Sequence, residues 1–366
     1  DAQLRADLIL FLQMLSRSKQ HASVLLDPQV ASIHHLVSML KKYHDTEPAL
    51  LTQTFSTLTN LLSREPAVAT FCAMNGLKFL LGLLSTRDLD LLEEVARALS
   101  YCTRPPSTTT VKSSRRESID FCSSPSVAGL LADPTALSKL VVPLRDGLVK
   151  GARGGVSRQR GKVRVRYLAN LWKVLANLFV VPEVCSRFVD HHDGVRLLIS
   201  YLRYDVSSDW HVRVQTAAAE AMDVLSSRQP HLKSDLVDAG ALNAIFSVLS
   251  DPRHCIARTS AVTAVVNILS SCAEEEALCR KLVQRGTAEV IAPLLSFGFV
   301  ARNAALVLFN VSCFRANRIR LLEAGVHDAM LELMEVATEA EYENDSCRDT
   351  TVVDKVGAGP YDESEP

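Results

Sequence analysis

The chain has 366 residues, of which 48% are hydrophobic, 22% charged and 6% aromatic. The hydrophobic share excludes a wholly disordered chain, and 15 Gly with 14 Pro exclude a collagen-like or low-complexity one. Lys and Arg number 40 against 41 Asp and Glu, so the formal net charge of -1 predicts neither a nucleic-acid binder nor a membrane-surface protein.

The cysteines indicate the compartment. Nine of them are scattered along the chain and never spaced as C-x-x-C, which favours reduced thiols in a cytoplasmic or nuclear protein. The apolar runs are shorter than the roughly 20 residues of a membrane-spanning helix. The chain begins at Asp1 without Met or a signal-like segment, so we expect a trimmed domain. We expect no cofactor or metal, because no catalytic motif or set of metal ligands has suitable spacing.

In chain order, the apolar pattern predicts helices grouped into units. Residues 1–103 read as N-terminal units, the first of them truncated. Residues 104–126 are rich in Ser, Thr and Pro and read as a flexible insertion. Further units occupy residues 127–337, and residues 338–366 read as an acidic, disordered tail.

Five segments share one pattern, in which a short helical run ends at a Gly and an apolar helix follows. The glycines are Gly76, Gly194, Gly240, Gly286 and Gly325. The spacing from the second to the third is 46 residues, from the third to the fourth 46, and from the fourth to the fifth 39. These periods are typical of stacked helical repeats, and we expect Gly to supply the sharp turn between two helices.

A longer, Ala-rich helix follows each apolar helix and often ends near an Asn. The endings contain Asn60, Asn177, Asn267 and Asn310, while Ser100 and Asp223 hold the same place in two other units. This frame resembles the armadillo repeat family, whose units have a short first helix, a second helix after a Gly turn, and a long third helix with an Asn near its end. The resemblance covers roughly residues 4–337 and implies an all-α fold, a right-handed α-solenoid of seven or eight three-helix units.

The resemblance also implies a groove along the third helices, where Asn side chains bond the main chain of an extended peptide. Carried over onto this sequence, the groove residues are Asn60, Arg97, Asn170, Lys173, Asn177, Asn267, Asn303 and Asn310. The alternative is that each Asn only caps its helix and bonds a neighbouring repeat. The Trp array of nuclear import adaptors is absent, because Ser56, Lys173, Thr263 and Leu306 stand where that family has Trp.

A basic, Gly-rich segment at 146–166 predicts a mobile, anion-binding loop for a phosphopeptide, an acidic protein, RNA or an inositol lipid. The basic residues are Lys150, Arg153, Arg158, Arg160, Lys162, Arg164 and Arg166. A solvated charged loop without a ligand is the alternative. Specific RNA recognition is not favoured, because no aromatic residues alternate with these charges.

Two further segments suggest regulation. In the insertion, Ser118 follows a basophilic-kinase pattern and Ser124 precedes a Pro, which makes both candidate phosphorylation sites. The tail at 338–366 has nine acidic and two basic residues, a sum of -7, so residues 1–337 carry -1 - (-7) = +6. We expect the tail to compete weakly for the basic loop or the groove.

These patterns predict a non-catalytic scaffold or adaptor that binds an extended acidic or mixed-polarity protein segment in the groove. One alternative is an anion-directed module that docks on RNA or acidic membrane through the basic loop. Another is the regulatory arm of a larger enzyme. The sequence leaves the partner and the oligomeric state open.

Overall fold

The computed structural model describes residues 2–27, 30–43, 48–104, 135–151, 158–203, 209–229, 231–249, 266–270, 272–296, 298–332 and 334–335. All regular secondary structure in these ranges is helical. The chain divides into two compact units, residues 1–268 and residues 269–366, called here the N-terminal unit and the C-terminal unit. Residues 105–126 of the predicted insertion and the predicted tail at 338–366 lie outside the described residues, as do Ser118, Ser124 and Arg153.

The described helices of the N-terminal unit are a single third helix at its start, three groups of three helices, and two pairs. They are α1 (Ala2–Arg17), α2 (Lys19–Leu25), α3 (Ser32–Tyr43), α4 (Pro48–Leu62), α5 (Glu65–Ala73), α6 (Gly76–Leu83), α7 (Leu89–Cys102), α8 (Ala136–Gly151), α9 (Arg158–Leu178), α10 (Pro182–His192), α11 (Gly194–Leu202), α12 (Asp209–Arg228), α13 (Leu232–Asp238) and α14 (Ala241–Leu249).

The third helices α1, α4, α7, α9 and α12 pack side by side in chain order. Helix α7 shows why such a helix forms and how it is held. Asp88 Oδ1 accepts hydrogen bonds from the backbone N–H groups of Asp90 and Leu91 at 3.0 and 3.4 Å, which caps the first turn. The apolar side chains of the helix are buried, and its polar side chains face away from the core. The predicted armadillo-like stacking is confirmed in this unit.

The turn before the second helix takes one of two forms, which differ in the residue that has the left-handed backbone. Gly240, Gly286 and Gly325 have φ values of 89°, 81° and 69°, so each supplies the predicted left-handed turn itself. In two other repeats the left-handed residues are Asn75 and Asp193, with φ values of 59° and 50°.

Gly76 and Gly194, which follow Asn75 and Asp193, are needed for a different reason. Each is the first residue of its helix, and a Cβ atom there would overlap a buried aromatic ring, that of Phe71 or Phe188. The prediction that Gly itself makes the turn is therefore wrong at these two positions.

The basic segment at 146–166 differs from the predicted loop. Residues 146–151 complete α8 and residues 158–166 begin α9, while 152–157 are outside the described residues. Helical packing overrides the glycines because Val163, Val165 and Tyr167 are buried against the neighbouring helices. The prediction of a loop is therefore wrong for both described ends of this segment.

The C-terminal unit continues the same pattern of helices. It contains α15 (Glu276–Gln284), α16 (Thr287–Ile291), a 3-10 helix (Ala292–Ser296), α17 (Gly298–Cys313), a 3-10 turn (Arg315–Asn317), α18 (Arg318–Glu323) and a further helical run at 326–332. Here α17 is the third helix of one repeat, and α18 with residues 326–332 begins the next.

Among the described residues, no single helix has both the length and the apolar composition to cross a membrane, although α5 and α6, bent by 85°, meet that test as a pair.

Candidate functional site

The solvent-facing side of α1, α4, α7, α9 and α12 is called here the third-helix face. It carries a recess of about 610 Å³, whose lining comes from α1, α4, α7 and α9. The stripe from α7 consists of Asp90, Glu93, Glu94 and Arg97, and the stripe from α4 contains Thr52, Gln53 and Ser56. Spacings of three and four residues place each stripe on one side of its helix. The recess is therefore a polar depression shared by consecutive repeats.

Charges of both signs line this recess. The Arg97 Nη2 atom lies 2.6 Å from Glu94 Oε2, and the Arg166 Nε atom lies 3.1 Å from Glu93 Oε1 across the α7–α9 boundary. Burial raises the pKa of Glu93, and the nearby Arg166 partly opposes that effect. Asp88 and Asp90 add two more carboxylates, and Arg17 adds another cation. The recess can therefore contact partner groups of either charge.

The predicted Asn ladder joins neighbouring third helices in the N-terminal unit. Asn60 donates from Nδ2 to Ser16 Oγ at 3.0 Å, which links α4 to α1. Asn177 donates to the Ser100 carbonyl and to Thr103 Oγ1, both at 3.1 Å, which links α9 to the end of α7. Asn267 donates to Asp223 Oδ2 at 3.3 Å. The side-chain amides thus bond the preceding repeat, as the alternative interpretation of these residues requires.

Asn310 makes the corresponding contact in the C-terminal unit. Its Nδ2 atom lies 3.5 Å from the Ser270 carbonyl oxygen, which it approaches from α17. Asn303, two turns earlier on α17, is half-buried. The binding of Asn303 and Asn310 to a peptide stays a prediction.

Two of the predicted groove residues, Asn170 and Lys173, lie on α9. Asn170 is half-buried and makes no hydrogen bond among the described residues, and Lys173 is exposed. Glu220 on α12 lies near Lys173: burial raises the pKa of this carboxyl, and the Lys173 charge partly opposes the effect. Trp172 points the other way, fully buried with its ring edge-on to Tyr201 at 5.3 Å.

The basic candidates of 146–166 do not form one cluster. Arg164 donates to the carbonyl oxygens of Asp146 and Gly147 at 3.1 and 3.3 Å, and Arg166 pairs with Glu93 as described above. Lys162 is half-buried. The side chains of Lys150, Arg158 and Arg160 are outside the described residues. Arg164 and Arg166 are therefore occupied within the protein, and anion binding by the segment stays a prediction.

The carboxylates of the recess were not predicted as site residues from the sequence. Glu93 lies four residues before Arg97, and Asp90 lies seven before it, so the helical period already places them on one side of α7. Glu220 and Asp223, three residues apart, likewise lie on one side of α12. The repeat frame defined by the Asn residues does not include these carboxylates. Within the described ranges, no group of three or more His, Cys, Asp or Glu side chains could hold a metal ion.

Comparisons with known proteins identify the fold. No family model matches the chain, and no curated protein matches it. A designed armadillo repeat protein has a TM-score of 0.56 at 17% identity, over 75% of this chain and 99% of that one. Another, solved in complex with the peptide (KR)4, has a TM-score of 0.52 at 19% identity, over 75% and 99%.

A third similar structure comes from work on a phosphorylation switch that controls the interaction between cadherin and β-catenin. Its TM-score is 0.61 at 16% identity, over 90% of this chain and 54% of that one. At these identities the likeness concerns the fold alone, and it confirms the armadillo-like repeat architecture that the sequence predicts.

Proposed function

We propose that this armadillo-like protein is a non-catalytic scaffold that binds an extended segment of another protein along the third-helix face of α4, α7, α9 and α12. The observation that carries the proposal is the set of polar stripes on consecutive third helices. The side chains of these stripes face solvent on helices whose other sides are buried. They belong to residues 52, 53 and 56 of α4, residues 90, 93, 94 and 97 of α7, and residues 166, 170 and 173 of α9. Stacked helical repeats use such extended surfaces for binding.

The dimensions of this face suit a short extended segment. Packed helices lie about 8–10 Å apart, so the four axes from α4 to α12 span roughly 24–30 Å. An extended chain rises about 3.3 Å per residue, so eight or nine residues would cross these four helices. Asn170 supplies both a donor and an acceptor for a peptide unit.

The partner segment would be of mixed polarity. Lys173 and Arg97 alone favour an acidic segment, but Glu94 lies 2.6 Å from Arg97, and Glu220 lies near Lys173. Arg97, Arg166 and Lys173 thus each have a carboxylate nearby. A segment with alternating acidic and basic side chains satisfies this surface better than a uniformly charged one, because like charges in contact are repulsive.

Selection of binding peptides tests the proposal. Random 12-residue peptides displayed on phage are selected against the intact protein, and the affinities of the enriched peptides are measured by fluorescence anisotropy. Asn170→Trp fills the face above α9 and should weaken binding at least tenfold, because it places a bulky ring where the peptide lies. Lys78→Trp is the matched control, since Lys78 is exposed on the second helix α6.

Lys173→Glu adds a second test, because it should shift the selected sequences away from acidic residues. The groove proposal fails if Asn170→Trp leaves the affinities unchanged or if Lys78→Trp reduces them equally. Circular dichroism of each variant checks that the helices remain folded.

A further inference from the structure

An apolar groove lies in the C-terminal unit, and none of its lining residues belongs to the polar stripes of the third-helix face. Its volume is about 520 Å³, and it lies between α17, α18 and the helical residues 326–332. Leu308, Leu321 and Val326 are buried at its base, while Phe309 and Leu322 on its walls are 60% and 58% exposed. Large apolar side chains grouped in this way on a surface mark an interaction site. This feature is called here the end groove.

The position of the end groove within the repeat indicates the shape that would fill it. In the N-terminal unit, α7 packs against α4, α9 against α7, and α12 against α9. Each third helix thus covers the one before it. The described part of the C-terminal unit holds no third helix after α17, and Leu306 and Phe309 of α17 are accordingly exposed. An α-helix is therefore the element that this groove accommodates.

The sequence directly after the described residues does not carry the apolar pattern of a third helix. Third helices begin 13, 15 and 12 residues after the repeat glycine, as counted from Gly76 to Leu89, Gly194 to Asp209 and Gly286 to Gly298. The same count from Gly325 leads to residues 337–340. The sequence at 338–351, TEAEYENDSCRDTT, has Tyr342 as its one large apolar side chain. It lacks the apolar stripe with which a third helix packs.

The charge of the end groove indicates the chemistry of its occupant. The side chains in its lining that can carry charge are Arg318 and His327. His327 Nε2 lies 3.1 Å from Asp328 Oδ1, so Arg318 is the cation that the lining offers to a partner. Arg318 Nε donates to the Ser312 carbonyl at 2.9 Å, which fixes the guanidinium at the rim. Arg315 and Arg320 are exposed on either side of it in the sequence. A carboxylate on the incoming helix would be held there by charge-assisted hydrogen bonds.

We infer that the end groove binds an amphipathic helix of a partner protein, with apolar residues spaced three and four apart and an acidic residue beside Arg318. The helix lies where the next third helix of the array would lie, with its apolar side on Leu308, Phe309 and Leu322. This helix-in-groove contact uses different residues from the proposed peptide-binding face. Each interaction can therefore fail experimentally without the other.

A peptide from this chain serves as the probe, because α7 is itself an acidic third helix. Residues 88–102, with Cys102 replaced by Ser and a fluorescein label, carry four carboxylates, one Arg and the apolar stripe of Leu91, Leu92, Val95 and Leu99. Fluorescence anisotropy with the full chain should give a Kd of about 10–100 µM, because the short peptide must fold as it binds.

Variants locate the binding site. Phe309→Ser combined with Leu322→Ser should weaken binding at least tenfold, and the fold should persist because both side chains are mainly exposed. Arg318→Gln should weaken binding and reduce its dependence on salt. Phe11→Ser combined with Met14→Ser removes equally exposed apolar side chains from α1 and should leave the affinity unchanged.

Other outcomes would overturn the inference. Absence of binding up to about 1 mM peptide, or loss of binding only in the α1 variant, would show that the end groove does not hold a helix. A tenfold gain on deletion of residues 338–366 would identify the occupant as this chain's own tail. A dimer in analytical ultracentrifugation that Phe309→Ser and Leu322→Ser dissociate would identify it as a second copy.

Discussion

Gly76 and Gly194 hold positions where a methyl group does not fit, although neither residue has a positive φ. An added Cβ at Gly194 overlaps the ring of Phe188, which is fully buried and packs edge-on against Trp172. The glycine thus allows the first helix to lie directly against the start of the second. The left-handed geometry itself comes from Asp193, a residue type that adopts it more readily than most.

We predict opposite effects for two Gly→Ala substitutions. Gly194→Ala should lower the free energy of unfolding by about 1–3 kcal/mol, because the buried ring of Phe188 must shift. Gly161→Ala should raise it by about 0.5–1 kcal/mol, since Gly161 lies inside α9 and an added Cβ meets no neighbouring atom within 4 Å. Urea unfolding followed by circular dichroism measures both. Effects of the same sign would contradict this explanation of the glycines.

Asp223 carries a pH-dependent contribution to stability. Burial raises the pKa of its carboxyl, and the hydrogen bond from Asn267 only partly opposes this. The folded state therefore holds the proton more tightly than the unfolded state. The contribution is fully present below the unfolded pKa and is lost as the pH rises through the folded pKa.

Asp223→Asn should therefore increase stability more at pH 7 than at pH 4. The amide oxygen can still accept the hydrogen bond from Asn267, and no charge is left half-buried. Urea midpoints of the variant and the wild type at the two pH values give the comparison. A stability difference that is equal at pH 4 and pH 7 would show that the carboxylate is not the cause.

At the scale of helices, Asn177 joins α9 to the end of α7 through two hydrogen bonds. Asn177→Ala should cost about 1–2 kcal/mol of folding free energy, because it leaves the Ser100 carbonyl without that donor. Asn170→Ala on the same helix should change stability by no more than about 0.5 kcal/mol, since Asn170 makes no hydrogen bond within the described residues. Urea unfolding of the two variants distinguishes these expectations, and equal losses would refute a joining role for Asn177.

The helices could be predicted from the sequence wherever an apolar period and a Gly frame coincide. Helix α11 follows from Gly194 and the leucines after it, although the left-handed residue of the turn before it is Asp193. The start of α9 could not be predicted in this way, because its arginines and glycines have the composition of a loop. What decides its structure is packing: Val163 and Val165 are buried, and sequence alone does not reveal which neighbours bury them.

Of the predicted groove residues, Arg97 lines the recess, and peptide binding by the others stays a prediction. The third-helix Asn residues lie where the repeat frame places them, but their amides bond the preceding repeat. A sequence cannot show this, because the acceptors are distant in the chain: Asn177 reaches Ser100, 77 residues away. The acidic residues of the recess were available from the helical period of α7, and of the two predicted kinds of partner, acidic or mixed-polarity, they favour the mixed-polarity segment.

For the molecule as a whole, stability should be local, because each repeat contacts mainly its neighbours. Phe55 is fully buried on α4 and its ring stacks on that of Phe79 at 6.1 Å. Phe55→Ala should cost about 3–5 kcal/mol. In hydrogen exchange with mass spectrometry, amide protection should fall in α3 to α7 and persist in α10 to α12. A uniform fall throughout residues 1–249 would instead indicate one cooperative unit.

The direct packing of α7 on α9 continues the stack of third helices in chain order across a long intervening stretch of sequence. Residues 105–134 lie between these helices in sequence, yet the two helices are neighbours in space. The covalent link is therefore not what aligns them; matching side chains do this, including Arg166 with Glu93 and Asn177 with the Ser100 carbonyl. We therefore expect the fragments 1–104 and 135–366, made as separate chains, to associate through these side chains.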